Sequence, residues 1–243
     1  MCSPLHFVKV LLLYSDNNTI MDLQQKHVIT ILNTHRKSFF EAKEFADSAG
    51  HTVPCDTKSW SQILVSFLTG IPGLYRQKGN DLADGSDVKA ANAWDAIDKP
   101  RFNGVLKAGR IGIEHTDITS LNDMPFIFFV LWDWVDGKQD CERCRVWYVN
   151  TLKDNDFRKV AKNWYDLRNS GEIKSVNFQL HPPIHNDNNV VTNECGNLDL
   201  PLMLNAVWDK NKKSYAIKKY EWNIKNIKYS KLTGSAPKRR RNT

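Results

Sequence analysis

Residues 78–92 read KGNDLADGSDVKAAN, and the interpretation of the remaining sequence depends on this stretch. Three aspartates and Lys89 surround one turn signal, Asp84-Gly85. After Asp87 the chain continues with valine and small apolar residues, as a strand that enters a core would. Carboxylate oxygens are the ligands that hard divalent cations prefer. The stretch therefore predicts a metal site at a turn, and the alternative is an exposed acidic hairpin that keeps an edge strand soluble.

The length of this turn decides which acids can meet. Side chains alternate between faces along a strand, so a two-residue loop would put Asp81 and Asp87 on opposite sides of the ribbon. A three-residue loop at 83–85, with Gly85 in the left-handed conformation, would place Asp81 opposite Asp87 and Lys89 on the same face. Directly opposed residues on neighbouring strands have Cβ atoms about 5 Å apart. We therefore predict a three-residue loop and a cation held by Asp81 and Asp87.

Length, charge and cysteine content restrict the class of protein. The 243 residues, 41% of them hydrophobic, suffice for one domain with a sizeable core. The formal net charge of +7 favours a polyanionic partner such as nucleic acid. Five cysteines, an odd number, without a convincing export signal favour a reducing cytoplasm. The apolar run from Phe7 to Tyr14 is too short to span a membrane; we interpret it as a buried strand or as an extension before an alternative start at Met21.

Two helical segments are predicted before the central stretch. From Thr19 to Ala49 apolar residues recur at spacings of three and four, which indicates one long helix or two successive helices. Glu41 and Glu44 share a face near the end of this segment, where one could point toward a metal, but a solvated surface pair is the simpler interpretation. A capping box beginning at Ser59 starts a second helix, which ends at Gly70.

Two strands are predicted after the central stretch. Residues 125–132, PFIFFVLW, form a near-continuous apolar run, as expected of an internal strand covered on both faces. Residues 145–149 should form the next strand, and the turn at Asp136-Gly137 makes the pair a hairpin. The loop of the hairpin would carry the cysteine pair of residues 141–144.

This cysteine pair is half of a possible zinc site. The candidates for completing it are His181, His185 and Cys195. Their separation matches no compact zinc finger, so two reduced cysteines at a loop edge are the favoured interpretation.

The last third of the chain carries basic and aromatic residues suited to phosphates. Residues 157–167 predict an amphipathic helix with a basic face. Residues 181–189, HPPIHNDNN, predict a loop that either enters a nucleic-acid groove or lies on the surface. Residues 208–231 interleave aromatic residues with lysines, which suits an element that packs one face and offers the other to phosphates. The basic tail 233–243 is expected to be disordered.

Residues 92–104 predict a loop with a basic and polar cluster. Arg101 and Asn103 could read base edges, since arginine matches guanine and asparagine matches adenine in the major groove. A phosphate contact, or an ion pair between Arg101 and Asp98, remains open.

The central stretch and the residues after it resemble a known family of nucleases. Asn80-Asp81 followed by Asp87-Val88-Lys89 resembles the PD-(D/E)xK motif of type II restriction endonucleases, with Asn80 in place of the usual proline. The longer segment 78–104 resembles the MamI-type restriction endonucleases. The residues that carry this likeness are GSDVKAAN at 85–92, Trp94, Ala96-Ile97-Asp98 and Pro100-Arg101-Phe102-Asn103.

The resemblance implies an α/β, PD-(D/E)xK restriction-endonuclease-like fold with a central mixed β-sheet flanked by helices. It implies Asp81 and Asp87 as Mg²⁺ ligands and Lys89 as the group that positions or helps to deprotonate the attacking water. A further acidic ligand would come from Glu41, Glu44 or Asp84. Lys78, Arg101 and Asn103 are the expected DNA contacts.

The resemblance also implies Mg²⁺-dependent, site-specific cleavage of double-stranded DNA by a homodimer, with a cognate DNA methyltransferase as genetic neighbour. A structure-specific repair or junction-resolving nuclease, and a non-catalytic DNA-binding protein, are the alternatives. We expect one nuclease domain at 1–232. Its parts would be a helical part at about 19–70, a catalytic sheet at about 78–150 and a DNA-contacting part at about 151–232.

Overall fold

The structure, a computed structural model, describes residues 5–54, 56–74, 79–106 and 117–222, with the backbone alone for residues 5–23. The expected DNA contact Lys78 and the basic tail 233–243 lie outside these residues. The helices are α1 (Leu5–Ala49), α2 (Thr57–Thr69) and α3 (Asn155–Asn169). The strands are β1 (Asp87–Asn92), β2 (Phe126–Trp134), β3 (Glu142–Asn150), β4 (Val190–Asn193), β5 (Gly196–Asp199), β6 (Leu202–Asp209) and β7 (Ser214–Tyr220).

Five of the strands form one mixed sheet in the order β1-β2-β3-β6-β7. β1 runs parallel to β2, with Asp87 beside Ile127 and Lys89 beside Phe129, and the other neighbours are antiparallel. β4 and β5 form a separate hairpin. The predicted central mixed sheet with flanking helices is therefore confirmed, and β1, which carries the acid-lysine motif, is an edge strand.

The two faces of the sheet are covered by different helices. On one face Leu32 of α1 and Leu64 of α2 belong to the same core cluster as Val130. On the other face Phe157 of α3 belongs to a second cluster with Phe129. Every residue of β2 is buried because both faces of this strand are covered, as the apolar run predicted. Asp87 and Lys89 alternate with Val88, so they project on the α3 side of the sheet.

The N-terminal segment forms a single helix. The expectation of a buried strand at residues 7–14 is wrong, because these residues belong to α1. No glycine or proline occurs between Leu5 and Ala49, so no helix-breaking residue separates the apolar residues 7–14 from the helical pattern at 19–49. In the part of the chain that the structure covers, no helix has the length and apolarity needed to cross a membrane.

Helix α2 ends as predicted but begins earlier. Its N-cap is Asp56, whose side chain accepts a hydrogen bond from Ser59 N, so Ser59 lies in the first turn and does not cap the helix. An aspartate satisfies a free N–H group at the start of a helix as well as a serine does, which explains the shift. Gly70 caps the C-terminus with φ of 76°, as predicted.

The hairpin of β2 and β3 and the helix predicted at 157–167 are both present. Cys144 is a buried residue of β3 and Cys141 lies in the turn, so the cysteine pair does not share a loop. Both thiols are free, as is that of Cys195. Among the described residues no group of three histidine, cysteine or acidic side chains is placed to hold a metal, so the zinc alternative gains no support.

Candidate active site

The turn before β1 has the predicted three-residue form. Gly85 N donates to Leu82 O at 3.1 Å, and Leu82 N donates to Ser86 O at 3.0 Å, which closes a loop of residues 83–85. Gly85 has φ of 96°, a conformation that residues with a side chain rarely adopt. A Cβ at Gly85 would also lie 2.5 Å from the backbone oxygen of Asp123. Glycine is therefore required at this position both by the left-handed backbone and by the close neighbour.

The arm that precedes this loop is not a strand paired with β1 over its length. Asp81 is followed by an isolated bridge to the segment 72–74, where Leu74 N donates to Asp81 O at 3.1 Å and Ala83 N donates to Pro72 O at 2.8 Å. The ladder partner of β1 is β2. The expectation of two neighbouring strands carrying the acids is thus corrected, because the chain turns back toward the end of α2 and not toward β1.

The two acids nevertheless meet at one backbone group. The N–H of Val88 donates to Asp81 Oδ2 at 3.1 Å and to Asp87 Oδ1 at 3.0 Å. Both aspartates are 7% exposed. Lys89 Nζ lies 2.8 Å from Asp87 Oδ2, with its side chain 18% exposed. Two carboxylates with one N–H between them and one close lysine form an acid pair whose negative charge is only partly balanced.

The proton affinities of the two acids differ. Burial raises the pKa of Asp81 to about 6, and the hydrogen bond to Asp87 and the charge of Asp87 act in the same direction. Burial would also raise the pKa of Asp87, but the hydrogen bond to Asp81 and the charge of Lys89 outweigh it and hold that pKa below its usual value. Without a cation, the pair therefore shares a proton at mildly acidic pH.

No third acid joins this pair in the described ranges. Glu41 is exposed and pairs with Lys37 at 3.6 Å, and Glu44 is exposed as well, because both lie on the solvent side of α1. Asp84 accepts hydrogen bonds from the N–H and the hydroxyl of Ser86, both at 2.9 Å, and so stabilises the turn. The solvated-pair interpretation of the two glutamates fits this placement, and their use as ligands has no support in it.

Two side chains from α2 reach the acid pair and were missed by the sequence analysis. Lys58 Nζ lies 3.9 Å from Asp81 Oδ1, with its side chain 58% exposed. Gln62 hydrogen-bonds to Asp81 and lowers the pKa of that carboxyl against the effect of burial. The sequence carries no signal for these contacts, because residues 70–82, with a turn of their own, separate α2 from the loop.

The expected DNA contacts Arg101 and Asn103 lie on the surface, on either side of the buried Phe102. Asn103 Oδ1 accepts a hydrogen bond from Asn177 Nδ2 at 3.5 Å. An ion pair between Arg101 and Asp98, one of the alternatives from the sequence, does not form within the described residues. Of the alternatives for Arg101, a contact with a base or a phosphate of a nucleic acid therefore remains.

The loop at 181–189 is fastened to the sheet by buried charges. Arg143 and Arg145 of β3 both bond to Asp133 of β2, at 2.8 Å and 2.9 Å. Arg145 Nη2 also donates to Pro183 O at 2.5 Å, and His185 N donates to Asp133 Oδ2 at 3.0 Å. The loop therefore rests against the sheet along much of its length, and whether it contacts DNA stays a prediction.

Comparison with known proteins gives one family. The model of the MamI restriction endonuclease family matches residues 44–217. The type II restriction enzyme MamI of Microbacterium ammoniaphilum is 34% identical over 172 residues, which cover 67% of this chain and 54% of that enzyme. The chain thus spans about half the length of this curated relative. No solved structure matches the chain significantly. The matched range contains the acid pair, Lys89, strands β1, β2, β3 and β6 of the main sheet, and the first part of β7.

Proposed function

Because the chain belongs to the MamI restriction endonuclease family, we propose that it is a type II restriction endonuclease that hydrolyses phosphodiester bonds in double-stranded DNA at a specific sequence. One observation carries the proposal beyond the family: Asp81 and Asp87 converge on Val88 N–H, with Lys89 at 2.8 Å from Asp87. The fold proposed for residues 1–232 is a single nuclease domain of the PD-(D/E)xK type, with β1 as the strand that carries the motif.

The acid pair fits a divalent metal, for which we propose Mg²⁺. Mg²⁺ is commonly held through one or two carboxylates while it keeps several waters, so two acids suffice. Burial, and then the hydrogen bond and the charge of Asp87, raise the pKa of Asp81, and a bound cation would favour its ionised form. Asp81 and Asp87 would hold the ion, and the Val88 carbonyl is a further candidate. When bound, such an ion lowers the pKa of a coordinated water and stabilises charge that develops on phosphate.

Lys89 is the basic residue positioned for the reaction. Its ammonium group is held by Asp87 and is largely buried, so it is oriented before substrate arrives. A fixed positive charge beside the reacting phosphate stabilises the negative charge that develops there. The same group can donate a hydrogen bond to the attacking water and so orient it. We therefore assign Lys89 to positioning the water and stabilising the phosphate oxygens.

Dimerisation and a methyltransferase neighbour belong to the same proposal. A two-fold symmetric protein suits a palindromic DNA site, since each subunit then meets an identical half-site. A restriction enzyme requires protection of host DNA, so a methyltransferase gene should lie nearby. Both expectations rest on the family alone.

The test uses plasmid and phage DNA incubated with the purified chain in Mg²⁺ or in EDTA. We expect discrete fragments in Mg²⁺ and none in EDTA. Degradation without discrete bands would favour a repair or junction-resolving nuclease, and intact DNA at every protein concentration would leave only DNA binding. Asp87→Asn should abolish the fragments, while the control Glu44→Gln, which changes an exposed acid of α1, should leave them unchanged.

A further inference from the structure

A short strap of residues 99–103 lies across the α3 side of the sheet. Phe102 N donates to Leu180 O at 2.8 Å, and Leu180 N donates to Phe102 O at 3.1 Å, as in an antiparallel ladder. Continuing this register by one residue places Arg101 opposite His181, which itself bridges to Thr192. The strap is thus fixed to two further segments of backbone, and Arg101 has a defined neighbour.

Phe102 fixes the position of the strap relative to the acid pair. Its buried ring packs against Phe129 of β2, with ring centroids 5.1 Å apart. Phe129 is the register partner of Lys89 on the neighbouring edge strand. Phe102 therefore lies over β2 at the level of Lys89. The residues before it run antiparallel to residues 181–183, toward Asp133 at the other end of the strands.

The charges on the strap are not balanced. Lys99 and Arg101 are both exposed, and neither forms an ion pair in the part of the chain that the structure covers. Their charges converge near His181: its pKa is lowered first by burial and then by Lys99 and by Arg101. Two positive charges at one place on a rigid surface attract an anion, and the polyanion that the proposed function supplies is DNA.

We propose that Lys99 and Arg101 form a phosphate clamp that holds the DNA backbone on the face of the sheet that also carries Asp87 and Lys89. This inference rests on the proposed function and adds to it a docking surface outside the site of cleavage. We assign the clamp to phosphates, which exposed lysine and arginine side chains commonly contact in protein–DNA complexes. Phosphate contacts position a duplex and weaken binding to all sequences alike when they are removed.

The experiment measures binding of a labelled duplex of unrelated sequence, in EDTA to prevent cleavage, over a range of NaCl concentrations. The variant is Lys99→Ala/Arg101→Ala. The control is Lys26→Ala/Lys37→Ala, which removes two exposed lysines of α1, the helix that covers the other face of the sheet. Each protein's thermal unfolding is compared, since both changes lie on the surface and should leave it unaltered.

We expect the clamp variant to bind about 10- to 100-fold more weakly at low salt and to reduce the slope of log K against log salt by about two. The control should keep the wild-type slope. Wild-type affinity and slope in the clamp variant, or an equal loss in the control, would overturn the clamp. If the clamp variant retains wild-type binding while the wild-type protein cleaves DNA, the clamp fails and the proposed function stands. A wild-type protein that neither binds nor cleaves DNA overturns both.

Discussion

Two groups of buried charges lie on the same face of the sheet, at opposite ends of its strands. At one end Asp133 bonds to two arginines and to a backbone N–H. At the other end Asp81 and Asp87 share the N–H of Val88. Lys89 lies beside Asp87, and the largely exposed Lys58 lies 3.9 Å from Asp81. Asp133 follows Ile127, the partner of Asp87, by six residues, so about 20 Å of strand separates the groups.

The two groups differ in how completely their charges are paired, and this difference indicates that one stabilises the fold and the other takes part in chemistry. Buried charges are stable when each has its partners, and the carboxylate of Asp133 meets that condition through two arginines and a backbone N–H. The arginines also tie a loop to the sheet, although Nε of Arg145 has no hydrogen-bond partner among the described residues. The acid pair meets it less well, because only Lys89 beside Asp87 and the largely exposed Lys58, 3.9 Å from Asp81, offset its charge. A cation would supply what the pair lacks. Disrupting the complete cluster should therefore lower stability, whereas disrupting the incomplete pair should lower activity.

Among these changes, Lys89→Ala at the acid pair should produce the largest effect, and the effect is on cleavage. Cleavage of DNA in Mg²⁺ should fall by at least about 100-fold, because a fixed positive charge next to the reacting phosphate is lost. Binding of DNA in EDTA should stay close to wild type. Single-turnover cleavage and binding assays measure the two effects, with Lys37→Ala, an exposed lysine of α1, as control. Unimpaired cleavage would remove Lys89 from the mechanism.

Asp133→Asn tests the buried cluster at the other end of the strands. The change keeps the shape of the side chain but leaves Arg143 and Arg145 without their shared carboxylate. We expect the free energy of unfolding to fall by about 3–5 kcal/mol, as for other broken buried ion pairs. Urea unfolding followed by tryptophan fluorescence measures this. A loss below about 1 kcal/mol would show that the cluster does not depend on Asp133.

Asp81→Asn is the matched change in the incomplete pair, and its effect on stability should have the opposite sign. Burial raises the pKa of Asp81 to about 6 in the folded chain from the ordinary 3.8 of an aspartate, so the folded state binds the proton more tightly. Wild-type stability attributable to this group is therefore present below pH 3.8 and is lost as pH rises through 6. The asparagine carries no charge, so the variant should be more stable at pH 7.5 by roughly 1–3 kcal/mol.

The measurement is the difference in unfolding free energy between Asp81→Asn and wild type at several pH values. Burial lowers the pKa of His35 to about 4, which makes stability rise with pH over the same range, but this contribution is common to both proteins and cancels in the difference. The stability gained by Asp81→Asn should shrink toward pH 4, and cleavage should be lost. A variant less stable than wild type at pH 7.5 would contradict the incomplete pair.

The sequence predicted the incomplete pair better than the complete cluster, for physical reasons. The three-residue loop follows from local chemistry, because Gly85 and the alternation of faces determine the register within a few residues. The apolar run of β2 likewise predicts a buried strand from local sequence alone. The partners of Asp133 come from β3 and from the loop at 181–189, and no local pattern reports such long-range pairing. The start of α2 and the helical state of residues 7–14 were missed because several residues can cap or continue a helix equally well.

Asp187→Asn should have the smallest effect on the free energy of unfolding. It tests whether the exposed Asp187 contributes to the cluster around Asp133. Asp187 Oδ1 lies 2.5 Å from Arg143 Nη1, but its side chain is 76% exposed. Water can replace most of this interaction, and Asp133 still balances the buried charge, so stability should change by less than about 1 kcal/mol. Urea unfolding beside Asp133→Asn provides the direct comparison. If Asp187→Asn destabilised the chain as much as Asp133→Asn, Arg143 would depend on both acids, and the cluster would be no more complete than the acid pair.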